Sequence, residues 1–130
     1  VKEAVSKLKE AGYILAVASS SPTDVIEETL NVLDVRECFQ SITSGREVVE
    51  PKPAPDIFLR AMEKLGVSPQ ECLIIEDSTN GGKAAKAAGA KCVWYHNPDS
   101  GDQNIPYAEL EIGEWNAENV NKLIQIMKEN

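Results

Sequence analysis

The chain has 130 residues and a mass of 14.2 kDa, enough for one compact domain with its own core. Its hydrophobic fraction of 42% and charged fraction of 26% are ordinary for a globular protein, and no apolar run is long enough to span a bilayer. A formal net charge of −8 and a pI near 4.7 argue against nucleic acid or a membrane surface as partner, because either would need a basic patch to meet phosphates.

In chain order, residues 1–11 place Val1, Ala4, Val5, Leu8 and Ala11 at helical spacing, and Gly12 supplies a stop. A pattern that opens on Val1 suggests a start inside something longer. Residues 13–18 are apolar without alternation, as in a parallel strand covered by helices on both faces. Ser21-Pro22-Thr23-Asp24 has the form of an N-cap with proline at the first helical position, opening a helix to about Leu33. Residues 40–44 form a short strand.

Pro51, Pro53 and Pro55 then stiffen a loop ahead of a helix over residues 56–65, which Gly66 ends. Ser68-Pro69-Gln70-Glu71 has capping-box form and predicts a single turn. Residues 72–76 are the clearest strand, residues 80–88 an alanine-rich helix closed by Gly89, and residues 91–95 another strand. A loop over residues 96–109 leads to a last helix, capped by Asn116, whose Val120, Leu123, Ile124 and Met127 form one apolar stripe. Trp94, Tyr95 and Trp115 are read as packing residues. Strands alternating with helices predict an α/β domain on a mostly parallel, doubly wound, Rossmann-like sheet.

Cys38, Cys72 and Cys92 are odd in number and form no C-x-x-C pair, so free thiols in a reducing, cytoplasmic compartment are expected.

In such sheets ligands bind beyond the carboxyl ends of the strands. The first strand is followed by Ser19, Ser20 and Ser21, the second by a loop carrying Lys52, and the third by Glu76, Asp77 and Ser78. Ser19 offers a hydroxyl, and the turn behind it offers backbone N–H groups, a combination suited to an anionic oxygen. Lys52 is a compact positive charge, and Glu76 and Asp77 are hard oxygen donors suited to Mg²⁺. Together they describe electrostatic stabilisation of phosphoryl transfer. Each also has a plainer reading: turn and cap chemistry for the serines, a solvated lysine, and a helix-start pair with Asp77 or Ser78 as N-cap.

The segments Val17-Ala18-Ser19-Ser20-Ser21, Pro51-Lys52-Pro53-Ala54-Pro55-Asp56-Ile57-Phe58 and Ile74-Ile75-Glu76-Asp77-Ser78, with Gly81 close behind, resemble the second, third and fourth motifs of the β-phosphoglucomutase-like branch of the haloacid dehalogenase superfamily. The resemblance runs along essentially the whole chain. It implies that Ser19 and the Ser20 amide bind the transferring phosphoryl group, that Lys52 bridges this group and the nucleophile, and that Asp77 ligates Mg²⁺. Glu76 would be a direct ligand or a partner behind it. The substrate implied is a small phosphorylated metabolite, hydrolysed through an aspartyl-phosphate.

The family's first motif, Asp-x-Asp-Gly-Thr, occurs nowhere in these residues. Residues 1–130 are therefore expected to be the C-terminal part of one core domain. Its cap, its nucleophile and its central strand would lie in an N-terminal segment absent here. The strands over 13–18 and 72–76 should then stand about two strand spacings apart, roughly 9–10 Å, with no ladder between them. Where mutases of the branch carry Ser-Lys-Asn or Ser-Arg-Asn, this chain has Ser21-Pro22-Thr23, and Pro22 brings neither charge nor an N–H donor for a second phosphate. A phosphatase is thus favoured over a phosphosugar mutase, and a catalytically inactive fragment is the third alternative.

Overall fold

The computed structural model describes residues 1–129. Helix α1 (Lys2–Glu10) leads through Gly12, at φ 95°, to strand β1 (Leu15–Ser19). The strand begins two residues later than the apolar run predicts. Its ladder partner β2 (Phe39–Ser44) starts opposite Leu15, so Tyr13 and Ile14 have nothing to pair with, and Ile14 is left exposed. Helix α2 (Thr23–Val32) also starts one residue later than expected. Pro22 itself holds the cap position in extended geometry, and no side chain caps this helix.

Helix α3 (Asp56–Leu65) ends at Gly66, whose left-handed φ of 70° suits a residue without Cβ. Pro69–Glu71 is a single turn with the reciprocal Ser68–Glu71 capping box. Strand β3 (Leu73–Glu76) follows, then α4 (Thr79–Ala88), capped by Ser78, then β4 (Lys91–Tyr95). A third strand of this sheet, β5 (Leu110–Ile112), directly follows the expected loop over 96–109, in residues to which the sequence pattern assigns no element; three residues are too few to show a period. Helix α5 (Ala117–Lys128) begins under the Asn116 side chain, which accepts from the Asn119 N–H at 2.8 Å.

All pairings are parallel: β1 with β2, and β3 with β4 with β5. No ladder joins β1 to β3 among the described residues. Alternation along each strand divides the core. In β4, Cys92 and Trp94 face α3 and α4, whereas Val93 and Tyr95 face α5. In β1, Ala18 packs with the α3–α4 cluster and Val17 with α2 and β2. The apolar runs read as strands buried on both faces are only half-buried over β1, and Ile75 in β3 is 37% exposed. Each has a strand neighbour on one side only. No described helix is long and apolar enough to cross a membrane.

A polar cluster ties the end of β2 to α3. The Glu47 carboxylate accepts from the Ser44 N–H at 2.8 Å and from Lys64 Nζ at 2.7 Å, with Arg60 3.6 Å away. The Lys64 bond first, and the Ser44 amide second, hold this carboxyl below its ordinary range. A depressed folded-state value contributes stability above the unfolded glutamate range, and that contribution is lost as pH falls through the folded value. Glu47→Gln is therefore expected to melt earlier than the native chain at pH 7, with the difference shrinking on acidification toward pH 3. Thermal melts across that range check it; a gap independent of pH would assign the effect to something other than this charge.

Candidate active site

The turn after β1 is fixed by contacts that sequence reasoning missed. Ser44, fully buried at the end of β2, donates its hydroxyl to the Ser21 carbonyl at 2.6 Å. Gly45 packs on the Ser20 backbone so closely that an added Cβ would stand 3.0 Å from Ser20 Cα. Inside the turn, the Ser21 N–H donates to Ser19 Oγ at 3.2 Å. With that lone pair occupied, the Ser19 hydroxyl proton is free to point toward an anion.

Lys52 leans from its proline-rich loop toward the end of β3. Its Nζ lies 2.5 Å from Glu76 Oε2 and 5.0 Å from the centroid of the Phe58 ring. Lys52 is 15% exposed and Glu76 8%, so this charge-assisted bond is mostly out of solvent. The other Glu76 oxygen, Oε1, faces the Asp77 N–H at 3.2 Å and the Ser78 hydroxyl at 3.3 Å. The carboxylate thus folds back over the positive end of α4. Gly81 makes this possible: an added Cβ there would lie 2.1 Å from both Glu76 Cδ and Oε1.

Asp77 points the other way. The Asn97 amide and the Ser100 hydroxyl both donate to its Oδ2, at 3.0 and 2.6 Å, and no side chain among the described residues donates to Oδ1. Burial by itself would raise this carboxyl's pKa, but the bonds from Ser100 and Asn97, with the charge of Lys52 behind them, hold it below the ordinary range. Of the two readings of Glu76-Asp77-Ser78, the cap belongs to Ser78, whose Oγ accepts the Gly81 N–H at 3.0 Å.

Ser19, Ser20, Lys52, Glu76 and Asp77 all line one cavity of about 480 Å³, open between the ends of β1 and β3. Tyr95 and Trp115, read from sequence as packing residues, pack on each other at 5.4 Å and also line its wall. His96 does not line it. It pairs with Glu111 at 2.8 Å and stacks on Trp94 at 3.9 Å.

The donor set suits Mg²⁺ better than a caged metal. Mg²⁺ keeps much of its water and takes one or two carboxylates plus substrate phosphate, whereas zinc and calcium sites gather more protein ligands. The described residues assemble no group of three His, Cys, Asp or Glu side chains able to hold a metal, but Asp77 lines the cavity, and its Oδ1 takes no side-chain hydrogen bond among the described residues. Both Glu76 oxygens already face protein donors.

A sequence profile of the haloacid dehalogenase-like hydrolases matches residues 1–95. The chain is 38% identical over 106 residues to hexitol phosphatase B of Escherichia coli (strain K12), covering 82% of this chain and 47% of that protein. It is 32% identical over 131 residues to the phosphorylated carbohydrates phosphatase of Thermotoga maritima, covering 99% and 58% respectively. The crystal structure of CbbY from Rhodobacter sphaeroides in complex with phosphate superposes with a TM-score of 0.80 at 31% identity, over 87% of this chain and 52% of that one. The chain spans about half the length of the curated relatives it matches.

Proposed function

The chain belongs to the haloacid dehalogenase-like hydrolases, in their β-phosphoglucomutase-like branch, and on that premise we propose that it supplies the phosphate- and Mg²⁺-binding half of a phosphatase core. The substrate is a small phosphomonoester of the sugar-phosphate class. The observation that carries this reading is the meeting of Ser19, Ser20, Lys52 and Asp77 around one cavity.

In this reading Ser19 Oγ and the Ser20 amide donate to the non-bridging phosphoryl oxygens. The Lys52 ammonium offsets the charge that develops there as the bond to the leaving group breaks. Glu76 keeps that ammonium in place from behind, and Asp77 would hold the cation. Bound Mg²⁺ would supply a fixed positive charge at the phosphoryl oxygens. The attacking carboxylate comes from outside these 130 residues, which contain no Asp-x-Asp sequence, and water hydrolyses the resulting acyl phosphate.

A mutase would need a cationic or N–H donor for a second phosphate, and Pro22 at the head of α2 brings neither. We place the protein in a reducing, cytoplasmic setting. Its three cysteines are free, and burial pushes the Cys92 thiol up to about 12, which leaves it unreactive.

Phosphate release from a panel of hexose, pentose and hexitol monophosphates tests the proposal. The full-length protein is expected to turn over at least one of them, to stop with EDTA and to recover with Mg²⁺. The 130-residue chain alone is expected to release none. Turnover by a preparation of this chain free of full-length protein would overturn the assignment of the nucleophile.

A further inference from the structure

We propose that Asn97 and Ser100 are positioning residues for the cation site: by fastening Asp77 Oδ2 they aim Oδ1 into the cavity. This deepens the proposed function and rests on its reading of Asp77 as the cation ligand.

The two donors come from one loop, between β4 and β5, and they converge on one oxygen of one carboxylate. A carboxylate hydrogen-bonded through both oxygens would offer a metal fewer free lone pairs. One bonded through neither would swing about its last torsion. Two side-chain donors on a single oxygen set the plane of the group and leave the other without a side-chain donor among the described residues.

The loop is itself anchored to the helix that follows Asp77. The Thr79 N–H donates to Gln103 Oε1 at 2.7 Å, the Asn104 N–H to Thr79 Oγ1 at 2.8 Å, and Gln103 Nε2 to the Ser100 carbonyl at 2.8 Å. Asn97 works at both ends, because its Oδ1 accepts the Asp99 N–H at 3.0 Å while its Nδ2 reaches Asp77. These bonds tie the loop both to Asp77 and to the first turn of α4. Partners behind a metal ligand typically matter for affinity at about the 10- to 100-fold level.

The test uses the full-length protein and Mg²⁺ alone, with affinity read by calorimetry and activity read separately. Ser100→Ala removes one donor and leaves the loop anchors. Asn97→Ser keeps a short acceptor for the Asp99 N–H but cannot reach Asp77. Each is expected to weaken Mg²⁺ binding on the order of 10-fold, with kcat at saturating Mg²⁺ within about twofold and a melting temperature lowered by no more than the few degrees that one lost hydrogen bond costs. Ser100→Thr, which retains the hydroxyl, is expected to restore affinity. Native Mg²⁺ affinity in both Ser100→Ala and Asn97→Ser, alongside its loss in Asp77→Asn, would overturn the positioning role while leaving Asp77 as the ligand. Native affinity in Asp77→Asn would overturn both.

Discussion

Lys52→Ala is expected to lower kcat/KM of the full-length enzyme about 10²–10³-fold, the usual cost of removing one preorganised donor from a developing oxyanion. The same change leaves the Glu76 carboxylate, 8% exposed, without its cation. Breaking a buried ion pair from one side costs about 3–5 kcal/mol, and the remaining access of solvent at Lys52 puts this pair toward the lower end. Activity and stability would thus fall together, and a double substitution separates them. Lys52→Met with Glu76→Gln removes both charges, so the melting temperature should largely recover. The activity should not, because on the proposed role of Lys52 the phosphoryl group would still lack its ammonium. A single mutant within threefold of native kcat/KM would take Lys52 out of the chemistry and leave it a structural ion pair.

Gly81→Ala is expected to destabilise the protein by about 2 kcal/mol and to lower activity at least about tenfold, against the direction that helix propensity predicts. Alanine inside an exposed helix gains about 1 kcal/mol over glycine. Here the new Cβ would occupy the position of the Glu76 carboxylate, 2.1 Å from Cδ. The carboxylate would have to leave the N-terminus of α4, giving up the Asp77 N–H and the Ser78 hydroxyl, and Lys52 would lose its anchor. Hydrogen bonds to a charged group contribute about 1.5–3 kcal/mol each, so the loss outweighs the gain. Gly113→Ala is the control: no atom lies within 4 Å of its Cβ position, and its stability should stay within about 0.5 kcal/mol of native. Urea denaturation of both variants decides the matter. A Gly81→Ala protein more stable than native would show that Glu76 does not need this niche.

What could be read from the residues alone was local. Asp56–Leu65 matches the expected helix in full, because its start signal, its apolar spacing and Gly66 all lie within a dozen residues. The Ser68–Glu71 capping box and the Asn116 cap were legible for the same reason. Ser19, Lys52 and Asp77 could be nominated because each follows a strand, and strand ends in a parallel sheet share a rim.

Tertiary structure decided how those groups address one another. Nothing in Glu76-Asp77 says that the first turns back onto Lys52 and the second outward to a loop; Gly81 and Asn97 with Ser100 make that division. Nor could Ser44 be read as the pin of the Ser21 turn, since the two meet only through the β1–β2 pairing. Caps and periodicities arise from backbone geometry within one or two turns of chain, so the sequence carries them. The direction of a buried carboxylate depends on which donors the fold delivers from 20 or more residues away, and that depends on packing.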